Sequence, residues 1–323
     1  MPEAQPFFEA WLLAFVLWTG LALGCLGLLM IGHLLGESWL HPVRSELEAG
    51  ALTLPLAGLL GLPLLLDLAA LYPWAGAAEL PEGAVPAPRA AYLEPAFVGA
   101  RNLGYFVVWT ALAYGMTRPG DHPRLGALGL ALLAPTASLA AVDWITSREP
   151  EWWSSVFGLA FSVSLLLGAL ALAILVTLLR PGEADADHLR GLTKALLSLA
   201  LVALWLWFSQ FLIVWSGNLP EEVAWYLRRD GEWAVLNRAV VLPALALGLV
   251  LLVPPHAGRR RILLATVLLL AHHVAHLAWL VRPAAATPAL HWLDPVALVG
   301  FGLLWGGLFL HGLRRRPNVP AVH

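Results

Sequence analysis

Nine apolar stretches follow one another along this chain, near 8–32, 47–68, 97–117, 124–144, 154–179, 193–215, 236–254, 262–281 and 292–313. A helix needs about 20 such residues to cross the hydrocarbon core of a bilayer. Inside that core every backbone polar group must be satisfied by the chain itself, so the runs are read as helices. They predict an all-α fold: a polytopic transmembrane helical bundle of about nine helices. The 12% of charged residues and the mean hydropathy of +0.75 fit that reading. The long connections, 69–96 and 216–235, read as loops, which leaves one integral membrane domain over 1–323. The first run is expected to stay as an anchor, because Glu3 and Glu9 lead it where a secretory leader carries lysine or arginine.

Charge and cysteine content narrow the function. A formal net charge of −2 supplies no basic footprint, so nucleic acid is not an expected partner. The single cysteine, Cys25, lies inside the first run and forms no internal disulfide or Cys-rich metal site by itself. Basic residues set an expected orientation. With the N-terminus outside, twelve of the 19 lysines and arginines fall on the inner side, among them Arg259–Arg261 and Arg314–Arg316. The chain is thus expected to have a periplasmic N-terminus and a cytoplasmic C-terminus in a bacterial inner membrane. Trp74, Trp144, Trp152, Trp153, Trp215 and Trp225 then mark the outer interface.

Against this apolar background DWITSREPEWWSS, residues 143–155, gathers three acids and an arginine between two spans. Other polar residues fall at the same level: Asp67, Arg101, Gln210, Asn218, Glu221 and Glu222. Ionisable groups at membrane depth are costly and often mark a pathway. Local readings compete. Thr146 or Ser147 can cap the fifth span with Glu149 and Glu151 in its first turn, and Asn218 to Glu221 fits a capping box. Asp143 and Asp67 each end a span, where a carboxylate opposes the helix dipole, so Arg101 is their expected counter-ion. In LLLAHHVAHLAWL, His272 and His276 are spaced to share a helix face, and so are His273 and His276. A haem or metal site there lacks a facing histidine: His33 sits near the inner end of its span and His291 in an outer loop. Interhelical hydrogen bonding and a proton relay are the other readings.

Seven stretches together carry a family resemblance. GHLLGESW (32–39), LEAGALTLP (47–55), LYPW (71–74), AYLEPAFVGARNLGYFVVW (91–109), DWITSREPEWWSSVFG (143–158), FSQFLIVWSGNLPEE (208–222) and LRRRPNVP (313–320) resemble, in the family's order, the second NrfD/PsrC-like membrane subunit of alternative complex III. Complexes of that family are bacterial quinol:electron-acceptor oxidoreductases. The family commonly has histidine where this chain has Glu151, and one more helix at its start.

The resemblance implies two four-helix bundles plus one extra helix. It implies a sister NrfD-like subunit that holds the quinol, an iron–sulfur protein and haem c subunits, with a terminal oxidase as a further candidate partner. Haem c and iron–sulfur clusters are expected on those partners and none on this chain; quinone or quinol is the one small molecule left open for it. The implied role is accessory: proton transfer and structural support beside a catalytic neighbour. On that reading Asp143, Glu149, Glu221, Glu222, Asp67 and Arg101 form an outer proton-exchange site. His33, Glu48 and Lys194 line an inner half-path, and His272, His273 or His276 bridges the middle. Trp144, Trp152, Gln210 and Asn218 are the residues available to a quinone pocket. An independent transporter and an inert scaffold are the alternatives, since Pro55, Pro63, Pro135 and Pro243 permit broken helices without requiring them.

Overall fold

In the computed structural model the described residues are 5–36, 38–76, 87–180, 186–254, 258–285 and 289–315. Thirteen α-helices occupy most of them: α1 (Gln5–Leu35), α2 (Arg44–Ala51), α3 (Leu54–Leu66), α4 (Ala87–Tyr92), α5 (Pro95–Met116), α6 (Pro123–Trp144), α7 (Phe157–Leu179), α8 (Ala186–Gly217), α9 (Pro220–Leu227), α10 (Glu232–Leu236), α11 (Leu242–Leu252), α12 (Arg259–Val281) and α13 (Leu293–Arg314). Among the described residues there is no strand. Eight segments are long and apolar enough to cross a membrane. Helix α5 is not one of them, because Arg101 and Asn102 lower its hydropathy. It nevertheless runs from one end of the bundle to the other, as a ninth pass would. Its start meets the end of α6 through Arg101 and Asp143, and its 22 residues carry the chain back to the start of α6, where Gly126 lies against Met30 and His33.

Two spans are composite. The second breaks at Leu52–Thr53, where Pro55 has no N–H to continue the ladder and the Thr53 hydroxyl donates to the Gly50 carbonyl at 2.6 Å. The seventh passes from α10 through a π-helical turn, Asn237–Val241, into α11. Pro243 lies two residues past that turn, and its ring crowds the preceding carbonyls.

The helices group as α1, α2–α3, α5 and α6 in one bundle and α7, α8, α10–α11 and α12 in another, with α13 laid against α1 and α2. Helix α1 joins the two bundles by packing on α7 as well as on its own partners. Its glycines make that approach possible. A Cβ at Gly24 would fall on the Leu165 carbonyl oxygen, and Gly20 and Gly27 face Leu165 and Leu166. Small residues at such a seam let two backbones close in where lipid offers no hydrophobic drive. One apolar cluster runs through both bundles, from Phe15 and Trp144 to Phe161 and Leu269. The N-terminus of α1 and the ends of α6 and α12 share one end of the bundle, called here the N-terminal end.

Candidate functional site

The DWITSREPEWWSS stretch is the hub of the N-terminal end, and each of its buried charges is held by a different element. Asp143, 2% exposed, closes α6. Arg101 of α5 reaches it edge-on, Nη2 to Oδ1 at 2.6 Å and Nε to Oδ2 at 2.9 Å. The Tyr92 hydroxyl donates to Oδ1 at 2.9 Å, and Asn102 and the Tyr105 hydroxyl complete the shell of Oδ2 at 3.3 and 3.4 Å. Asn102 in turn accepts the Trp144 indole N–H at 2.7 Å. Burial pushes the Tyr92 phenol up, and the neighbouring Asp143 carboxylate adds to the rise. The guanidinium of Arg101 also stacks 3.7 Å over the Tyr92 ring.

Arg148 turns the other way. Its Nη2 donates to both oxygens of Glu9 in α1, and its Nη1 to the Val281 carbonyl at the end of α12 at 2.8 Å. Arg282 extends this group, 3.9 Å from Glu9 and 3.3 Å from Asp294 at the start of α13. All four side chains are buried. Glu149, the next residue, accepts from Arg228 and Arg229 at 3.0 Å each. Arg229 lies 3.4 Å over the Trp225 ring and donates to the Leu280 carbonyl at 3.0 Å. Burial pushes its guanidinium down and Glu149 opposes that.

These pairs correct several expectations. Helix α7 begins at Phe157, so Thr146 and Ser147 do not cap it; Ser154 accepts the N–H groups of Val156 and Phe157. Ser147 donates back to the Asp143 carbonyl at 2.7 Å, extending α6 by a 3-10 turn. Asn218 forms no capping box: it sits at φ 46°, and α9 starts after Leu219 without a side-chain cap. Among the described residues Arg101 pairs with Asp143 and not with Asp67, which accepts the Ala70 N–H at 3.2 Å and caps a short turn. Glu149, read as a first-turn residue of the fifth span, instead pairs with Arg228 and Arg229 just after α9. Of the interfacial tryptophans, Trp144, Trp152 and Trp225 are buried in protein, and Trp153 and Trp215 are exposed.

Of the other candidates, Trp152 stacks on Trp225 with ring centroids 4.6 Å apart. Gln210 is buried and accepts the Ser154 hydroxyl. Asn218 and Glu221 are exposed; Glu222 is half-buried beside Gln210 in an open cavity. His33 lies at the opposite end, its Nδ1 accepting the His122 N–H at 3.2 Å with Asp121 3.8 Å away. Glu48 pairs with Arg44 at 2.9 Å and Lys194 is exposed. His272 meets the Val241 carbonyl of the π turn at 2.9 Å, which is the interhelical bond anticipated for this group. His276 stands edge-on to Trp207, and His273 fills the space left by Gly168. No hydrogen bond joins these histidines to Asp143 or to His33 among the described residues. Nor do three His, Cys, Asp or Glu side chains converge there as a metal site.

Sequence reasoning missed Glu9, Arg229, Arg282, Asp294 and the pair of Glu46 with Arg180, 2.9 Å apart at the far end. The usable signal was a lone charge inside or beside an apolar run, with an opposite charge at the same depth elsewhere. No protein-family model and no curated protein matches this chain.

Proposed function

We propose that this chain is an accessory membrane subunit of a respiratory quinol-oxidising complex, set in a bacterial inner membrane beside a sister subunit of the same fold. Iron–sulfur and haem c proteins are its electron-carrying partners. The reading is supported by one observation above others: four of the stretches that carry the family resemblance bond to one another at the N-terminal end. Tyr72 of LYPW reaches the Trp144 carbonyl at 3.5 Å, Arg101 grips Asp143, and Ser154 bonds Gln210 of FSQFLIVWSGNLPEE. Motifs dispersed over 150 residues thus make one buried unit at the N-terminal end, which would support a docking and exchange face above it.

Within that unit the work is divided. Asp143, Glu9, Glu149 and Asp294 each face arginine, which does not give up its proton. They brace the ends of the helices. Glu221 and Glu222 have no such partner among the described residues and stand at the surface or in a cavity, where protons are exchanged with water. They are the groups assigned to proton transfer.

Gentle solubilisation of native membranes and purification on a tag fused to this chain tests the assignment. The expected product contains a sister membrane subunit, an iron–sulfur protein and haem c, and oxidises quinol. A chain recovered alone, with no redox partner, sinks the proposal and favours a transporter. Intact quinol turnover with unchanged proton release in Glu221→Gln/Glu222→Gln would reduce the role to scaffold.

A further inference from the structure

Between the start of α7 and the end of α8 the N-terminal end opens sideways into a cavity of about 470 Å³. That volume is in the range of small-molecule sites. Trp153 forms one wall and the aliphatic Ile213 and Val214 another; Ser154, Ser155, Gln210 and Glu222 supply the polar lining. The floor is fixed. Ser154 caps α7 through the N–H groups of Val156 and Phe157, at 3.2 and 3.1 Å, and donates to Gln210, whose side chain is 2% exposed. Glu222 is different. Its carboxylate has no donor or cation within bonding distance among the described residues, and the nearby Gly217 leaves room before it.

The cavity is open to the outside of the bundle. Trp153 and Ile213 of its lining are strongly exposed, and so are Phe211 and Trp215 on the same stretch of α8, as suits side chains that meet lipid. A molecule entering there brings an apolar tail along Ile213 and Val214 and a polar head toward Glu222. The carboxylate accepts hydrogen bonds and gives none, so it repels carbonyl and phosphate oxygens and attracts O–H or N–H.

We infer that this cavity binds an amphiphile whose headgroup carries hydrogen-bond donors aimed at Glu222, with Gln210 and Ser155 as secondary contacts. Two sources share that chemistry: the hydroxyls of a hydroquinone and the ammonium of an ethanolamine phospholipid. The hydroquinone source rests on the functional reading above, whereas the cavity and its acid stand without it.

The test uses the full-length protein in phosphatidylcholine nanodiscs. Calorimetric titration compares decylubiquinol with decylubiquinone, and native mass spectrometry compares retained phosphatidylethanolamine with phosphatidylcholine. The donor-bearing member of at least one pair is expected to bind at least tenfold more tightly. Glu222→Gln should abolish about tenfold of that preference, the loss of one hydrogen bond to a charged acceptor. Asp230→Asn, exposed in the turn after α9, should leave it intact and shows that the α9 region remains folded. Preference for hydroquinone alone identifies the redox ligand, and preference for ethanolamine alone identifies a lipid site while counting against the functional reading. Equal binding of donor-bearing and donor-free probes, no binding of any, or a preference indifferent to Glu222→Gln overturns the inference.

Discussion

Arg101 and Asp143 meet edge-on at the N-terminal end, two nitrogens against two oxygens at 2.6 and 2.9 Å, with Asp143 almost wholly buried. Five donors surround that carboxylate and none of its neighbours accepts from it. Such a geometry holds a charge in place, and it ties the second turn of α5 to the last turn of α6. Asp143→Asn keeps the shape and strands Arg101. Breaking a buried pair typically costs about 3–5 kcal/mol, so a fall in folded yield and in thermal midpoint is expected. Arg101→Met combined with Asp143→Asn should recover part of the loss, because no unpaired charge remains. A variant with normal stability but impaired turnover would instead make Asp143 a working residue.

Arg148 carries the second prediction. It bonds Glu9 and the Val281 carbonyl together, so one guanidinium joins α1, α12 and the end of α6. Arg148→Met fits the buried volume while leaving Glu9 with only Arg282, 3.9 Å away. The expected loss is comparable to that of Asp143→Asn, about 3–5 kcal/mol. In a double-mutant cycle Glu9→Gln should rescue a measurable part of it. Strict additivity of the two changes would show that the pair is not coupled.

Most spans were legible because each is an apolar run of the length a bilayer demands, and hydropathy needs no tertiary information; α5, with Arg101 and Asn102 inside it, is the weakest of them. So was Arg101 with Asp143, since both lie at the same level and α5 and α6 are consecutive. Glu9 with Arg148 was not. The two are 139 residues apart, and which charge meets which depends on how α1 threads between the bundles. The caps were misread for a related reason. Thr146, Ser147 and Glu149 have the composition of a helix start, but Ser147 is bonded back into α6 and Glu149 is claimed by Arg229 from a distant loop. Tertiary ion pairing overrode local propensity at Glu149, and bonds back into α6 did so at Thr146 and Ser147.

The seam between bundles offers a third prediction. Gly24 of α1 lies so close to α7 that an added methyl would meet the Leu165 carbonyl and the Ala169 side chain. Because the first obstacle is backbone, no side-chain rotation relieves it. Gly24→Ala should force the bundles apart and cost about 1–3 kcal/mol as overpacking does. Gly300→Ala, on the open face of α13 where nothing lies within 4 Å, is the control and should be neutral. Equal thermal midpoints for the two variants would show that α1 and α7 do not approach as closely as described.

The last prediction concerns orientation. Nine passes would put the start of α1 and the end of α13 on opposite sides: α1 starts beside Arg148, and α13 starts beside Arg282 at that same end and runs away from it. Glu151 is exposed at the N-terminal end, and Gly258 is exposed at the other, where Arg259 bonds the Leu178 carbonyl. Background labelling should be low, since Cys25 is 2% exposed and covered by Gly50. In intact cells an impermeant maleimide should therefore modify Glu151→Cys at once and Gly258→Cys only after the membrane is opened. The arginine-rich side is expected inward because basic loops resist translocation. The reverse pattern would keep the nine passes and invert the chain, placing Glu222 and its cavity on the cytoplasmic side. Labelling of both positions from one side would require an even number of passes between them. Since α7, α8 and α10–α11 make three, α8 or the π-interrupted span would then have to turn back within the membrane.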